Sequence, residues 1–176
     1  MELAGLEQLA EQYGGVLYAF CNQLTGSRQE GEELYQETFL KAVELHRQID
    51  AAQNPKGFLV AVAARLWRNR RRKYAWRQRI APMGQWDEQE EQQPTQTYCN
   101  NPEELALQWE QQRLVRQAVS ELPDKWKLPV YMYYTVGLSI EEIASLLRIP
   151  TGTVKSRLYK ARKVLKEKLE VSWNEK

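Results

Sequence analysis

One histidine, His46, and two cysteines, Cys21 and Cys99, are all that this 176-residue chain offers a soft metal or a redox pair. The cysteines stand too far apart for a CxxC motif, so a disulfide framework and a thiolate metal site are excluded, and both are expected as reduced thiols. A lone histidine supplies no His-rich metal site, and no cofactor of any kind is expected. The longest mostly apolar run, Phe58 to Trp67, is interrupted by Arg65 and falls far short of the ~20 residues a membrane span needs. Met1-Glu2-Leu3-Ala4 has neither the basic start nor the apolar core of a signal peptide, so a soluble cytoplasmic chain is expected. No glycine-rich phosphate loop and no nucleophile–base pair is present, which argues against an enzyme. Alternating strand patterns are missing too, leaving an all-α fold.

Net charge is nearly absent, at +2, but its distribution is not even. Residues 1–50 carry nine acids and three bases, and residues 51–80 carry nine bases and no acid. Residues 81–112 return to seven acids and no base, whereas Arg148 to Lys168 holds eight bases and one acid. Two basic blocks divided by an acidic stretch suit a protein that holds a polyanion in two places. A chain of this length makes one large or two small domains. Two of about 70 residues would each bury only ~60% of their unfolded surface, so both would profit from a bracing partner.

Helical spacing organises what remains. Leu3, Leu6, Leu9, Tyr13, Leu17, Phe20 and Leu24 recur every three or four residues, predicting a helix over most of 2–24, weakened at Gly14 and Gly15 by roughly 1 kcal/mol each. A second helix is expected over about 29–48, with Leu34, Tyr35, Phe39, Ala42, Val43 and Leu45 on a wide apolar face. Asn54-Pro55 reads as an N-cap followed by Pro at the first helical position, opening a third helix to about Arg79. Its predicted inner face is Phe58, Leu59, Val62 and Leu66; its outer face is Arg65, Arg68, Arg71 and Arg72. Residues 81–102, with Pro82, Gly84, Pro94 and many Gln and acidic residues, are expected as a flexible acidic linker. The reading is therefore two small helical domains, 1–80 and 103–176. In the second, Leu122-Pro123-Asp124 separates two helices, and Pro129 predicts a late start near Leu128 or a bent first turn.

Ser139-Ile140-Glu141-Glu142 is a capping box. Ile143, Ala144 and Leu147 give the short helix after it a compact apolar face, and Arg148-Ile149-Pro150 interrupts the chain before Thr151-Gly152-Thr153 starts the next helix. There Val154, Leu158, Ala161 and Leu165 share one meridian, with Lys155, Ser156, Tyr159, Lys160, Lys163 and Lys166 on the opposite half. This is the layout of a helix-turn-helix whose second helix enters the major groove N-terminus first. Lys155, Ser156 and Tyr159 are the candidates for base edges; Arg157, Lys160 and Arg162 flank them and suit phosphates.

These residues resemble a known family. Leu122-Pro123, the run Gly137 to Ala144 and the run Gly152 to Arg162 closely resemble the C-terminal domain of bacterial RNA polymerase sigma factors. Glu33 to Ala42 resembles the region-two helix of that family, and Phe58-Leu59, Val62-Ala63 and the following arginines resemble its promoter-melting helix. With two domains and a short linker, the chain is similar to the extracytoplasmic-function group. The resemblance implies core RNA polymerase and promoter DNA as partners, with an anti-sigma factor as a further one.

Carried over by residue, it places Leu34, Gln36, Glu37 and Phe39 on the polymerase clamp. The loop from about Gln48 to Gly57 and the helix after it would hold the separated strand at the −10 element. Arg65, Arg68, Arg71 and Arg72 would neutralise its backbone, and Trp67, toward the polar side, would offer a ring for an unpaired base, with Tyr74 and Trp76 nearby. Lys155, Ser156, Arg157, Tyr159, Lys160 and Arg162 would meet the −35 duplex. The chain departs from the family's pattern in carrying Gly31 where Ala is usual and Arg148 where Gly is usual, where a left-handed backbone would cost roughly 1 kcal/mol. A stand-alone helix-turn-helix regulator is the competing reading; such a protein needs neither the clamp-facing helix nor the arginine-rich one.

Overall fold

The computed structural model describes residues 3–45, 54–80 and 102–174, which form seven helices and, among the described residues, no strand. The N-terminal half comprises α1 (Leu3–Thr25), α2 (Arg28–Glu44) and α3 (Pro55–Ile80). The C-terminal half comprises α4 (Pro102–Ser120), α5 (Asp124–Tyr134), α6 (Ile140–Leu147) and α7 (Thr151–Asn174). The acidic linker and its flanks, residues 81–101, lie outside the described residues, as do His46, Cys99 and residues 48–53 of the loop expected to hold the −10 strand.

Local chemistry sets the helix ends. Ser27 caps α2, its side chain accepting from the Glu30 amide. Asn54 caps α3 as expected, with Oδ1 accepting from the Gly57 amide at 2.8 Å and Pro55 the first helical residue. α1 runs unbroken through Gly14 and Gly15, because its face of Leu9, Leu17, Phe20, Cys21 and Leu24 is buried against α2 and α3. Burial also pushes the Cys21 thiol up to about 12, leaving it protonated and inert.

Gly31 shows why a residue of low helix propensity sits mid-helix. A Cβ there would come within 1.9 Å of Asn22 Oδ1 and 2.8 Å of Asn22 Cα, so α1 and α2 pass too close at this point for any side chain. Gly31→Ala would gain about 1 kcal/mol of helix propensity but incur about 1–3 kcal/mol of overpacking. Because the clash with the Asn22 backbone can be relieved only by moving the helices apart, a net loss is expected. A thermal melt of the variant checks it, and a raised Tm would contradict this account.

Of the two expectations for α5, the late start is not met. The helix begins at Asp124, not late near Leu128, and carries Pro129 in its interior. Its first turn closes before the proline is reached, since the Pro123 carbonyl accepts from the amides of Trp126 at 2.8 Å and Lys127 at 2.9 Å. Pro129 still forfeits one backbone hydrogen bond, but its ring is fully buried, and that burial offsets the loss. The helix ends at Tyr134, and Gly137, at φ 72°, turns the chain toward α6.

The two halves are not merely tethered. Residues from both join one continuous core, and α5 packs on α1 while α6 packs on α3. Polar contacts rivet the seam: Lys56 Nζ donates to the Val136 carbonyl at 3.1 Å, and Arg71 Nε to Asp124 Oδ2 at 3.1 Å. Asn54 Nδ2 donates to Glu142 Oε1, so one residue caps α3 and reaches the capping box of α6.

Candidate nucleic-acid interface

The capping box at the head of α6 is complete. Ser139 N donates to Glu142 Oε2 at 2.7 Å, and the Glu142 amide to Ser139 Oγ at 3.1 Å. At its other end Arg148 takes the left-handed conformation, φ 54° and ψ 49°, at the position where the family usually has Gly. That turn brings α7 back across α6, burying Ile143, Ala144 and Leu147 against Val154, Leu158 and Ala161. The opposite half of α7 faces outward. Lys155, Ser156, Tyr159, Lys160 and Arg162 are exposed and Arg157 is half-buried. Among the described residues, Arg162 differs from the other bases between Lys155 and Lys163 in having side-chain partners, Tyr134 and Tyr133.

α3 presents the second basic surface. Arg65, Arg68, Arg71 and Arg72 are exposed, and Arg68, Arg71, Arg72 and Tyr74 line an open recess that also includes Asp124 of α5. The rings reverse the expectation. Trp67 is 4% exposed and packed in the core, whereas Trp76 is 64% and Tyr74 51% exposed. Trp67 is therefore not on the polar side, and its ring is closed to a base in this arrangement. α3 packs against α1, α2 and α6, and its buried arc takes in Val60, Ala63, Ala64 and Trp67 besides Leu59 and Val62. The four- and three-residue spacing of Val60, Ala64 and Trp67 is compatible with a second apolar stripe, but nothing in that period says that a neighbour covers it.

On the helix expected to face the polymerase, one residue of the expected set is buried and two apolar residues outside that set are exposed. Leu34 is 0% exposed, a core side chain between α1 and α3, and offers nothing to a partner. Gln36 is exposed. Glu37 is half-buried and accepts from Arg70 Nη2 at 2.5 Å and Arg70 Nε at 3.1 Å, a fork that ties α2 to α3. Phe39 is half-buried, edge-on to Tyr35 with ring centroids 5.0 Å apart. Leu40 and Val43, unassigned or assigned inward from the sequence, are instead 67% and 43% exposed. With Gln36 they follow four- and three-residue spacing and so form one outward stripe, apolar on an acidic helix.

Among the described residues there is no group of three His, Cys, Asp or Glu that could hold a metal ion, and no helix is long and apolar enough to cross a membrane.

Residues 9–77 match the family model for sigma-70 region 2, and residues 112–165 match that for sigma-70 region 4. The chain is 26% identical over 168 residues to the ECF RNA polymerase sigma factor SigW of Bacillus subtilis, covering 92% of this chain and 87% of that protein. It is 35% identical over 71 residues to the ECF RNA polymerase sigma-E factor of Escherichia coli, covering 40% of this chain and 37% of that one. In fold it is similar to the sigma factor RpoE of Bartonella quintana, solved with the anti-sigma factor NepR. The TM-score is 0.80 at 22% identity, over 96% of this chain and 99% of that one. It is also similar to CnrH, solved with the cytosolic domain of CnrY, with a TM-score of 0.68 at 16% identity over 97% and 90% of the two chains.

Proposed function

The chain belongs to the extracytoplasmic-function group of bacterial RNA polymerase sigma factors, and from that premise we propose how its residues divide the work of initiation. It binds core RNA polymerase and directs it to promoters, with no chemistry of its own. The observation that carries the residue-level reading is the pair of exposed basic faces, one on α3 and one on α7, in separate domains. A single duplex-binding regulator needs one such face. A factor that holds a melted strand and an upstream duplex at once needs two.

Residues 1–80 form the domain that docks on the core enzyme and holds the −10 strand; 81–102 are the connector; 103–176 read the −35 element. On α2, Gln36, Leu40 and Val43 make the contact with the core enzyme, with Phe39 bracing the stripe from behind. On α3, Arg65, Arg68, Arg71 and Arg72 neutralise strand phosphates, and the exposed Tyr74 and Trp76, in place of Trp67, offer stacking faces. On α7, Lys155, Ser156 and Tyr159 meet base edges while Arg157, Lys160 and Arg162 position the duplex. Arg71 is paired with Asp124 and Asn54 with Glu142 across the seam, so strand capture by α3 competes with the C-terminal domain for the same side chains. The RpoE structure contains the anti-sigma factor NepR and the CnrH structure the cytosolic domain of CnrY, and an anti-sigma factor that favours the closed seam is the regulator proposed for this chain. The workplace is the cytoplasm, where the core enzyme is.

Transcription from a reconstituted system tests the reading. Core polymerase plus this chain should initiate at promoters that core alone ignores. Tight, specific duplex binding without initiation would instead favour the stand-alone regulator.

A further inference from the structure

We propose that Tyr134, at the end of α5, belongs to the −35 surface and shares a backbone phosphate of the duplex with Arg162. The proposal rests on the reading of α7 as the groove-reading helix. Lys155, Tyr159, Arg162 and Lys166 recur at four-, three- and four-residue spacing, which puts them on one stripe of α7. α5 abuts that stripe through Tyr134. Arg162 Nε donates to Tyr134 Oη at 2.8 Å, and its guanidinium carbon lies 5.8 Å from the Tyr134 ring centroid and 5.9 Å from that of Tyr133. The two rings meet edge to face, 5.0 Å apart at 79°. Tyr133 packs against the core, while Tyr134 is 59% exposed.

A core-anchored ring pair thus holds an exposed guanidinium that, among the described residues, no carboxylate neutralises. The hydrogen-bond inventory then points to a ligand. Arg162 spends Nε on the tyrosine and keeps both Nη groups as donors. Tyr134 accepts with its oxygen and keeps its own O–H proton to donate. A fixed cationic fork beside a neutral donor suits the oxygens of a phosphodiester, and the ring pair removes part of the ordering cost an isolated arginine would bear. An open surface continuous with Lys155 and Tyr159 fits a polymer backbone rather than an enclosed small anion.

Holoenzymes assembled from core polymerase and each variant would be titrated with a labelled duplex selected from a random-sequence pool by the wild-type holoenzyme, across a range of salt. Tyr134→Phe keeps the ring and removes the hydroxyl, both its free donor and the acceptor of Arg162 Nε. It should weaken binding roughly 3- to 10-fold, alike for every duplex sequence, with the salt slope unchanged because no charge is lost. Arg162→Gln should weaken binding and lower the slope by about one. In the double variant the tyrosine change should add less than about twofold, since the shared phosphate has already been lost. Wild-type affinity for Tyr134→Phe, or full additivity with Arg162→Gln, overturns the proposal. In either case Lys155→Ala still shifts sequence preference if the reading of α7 is right. If Lys155→Ala, Arg162→Gln and Tyr134→Phe all bind as wild type, that reading falls and the proposal with it.

Discussion

Leu40→Asp is expected to weaken association with core RNA polymerase about 10- to 100-fold while leaving the thermal melt of the chain unchanged. Leu40 is 67% exposed on α2, with Val43 one turn on and Gln36 one turn back, and burying a leucine in an interface is worth about 1.5–3 kcal/mol. Because the side chain meets solvent in the free protein, an aspartate there leaves no cavity and breaks no internal contact. A fluorescence titration of labelled chain against core enzyme, with a melt alongside, reads both halves of the expectation. Gln36→Ala should give a smaller loss at the same face, roughly threefold to tenfold for one hydrogen bond. Glu37→Ala would be a poorer probe, since it also cuts the Arg70 fork that joins α2 to α3. Wild-type affinity for Leu40→Asp would move the polymerase contact to another surface.

Leu34→Ala should have the opposite signature. Leu34 is fully buried where α2 meets its neighbours, so truncating it removes transfer energy and leaves a cavity, at a cost of about 2–5 kcal/mol. In a domain this small the loss is a large share of the total stability, and a fall in Tm of roughly 10 °C or more is expected. Core association measured well below the new Tm should stay near wild type. A variant that melted normally but no longer bound the core enzyme would return Leu34 to the contact surface and overturn its place in the interior.

Much of this molecule is legible from short-range rules. The Ser139–Glu142 capping box, the Asn54 cap with Pro55, the Gly137 stop and the apolar meridian Val154, Leu158, Ala161 all involve groups within about one or two turns of one another. Their geometry follows from 3.6 residues per turn and from backbone donors that need partners. The resemblance supplied roles, but a role carried over by position does not know which way a side chain points. Leu34 is the example: periodicity put it on the apolar face of α2, the carried-over role put it on a partner, and packing agrees with the former.

For the described residues, sequence alone therefore determined the all-α character, the segregation of charge into two basic helices, and the helix-turn-helix. Those depend on residue type and local spacing. Only the tertiary structure decided which tryptophan is buried, that Leu40 and Val43 face outward, that Tyr134 meets Arg162 across 28 positions, and that α3 and α6 share Asn54 and Glu142 across 88. The physical reason is that a helix's second neighbour is not written in its own period. α3 shows one apolar stripe to a local reading, yet in the fold it packs against several helices and its buried arc takes in Trp67 and leaves Trp76 outside.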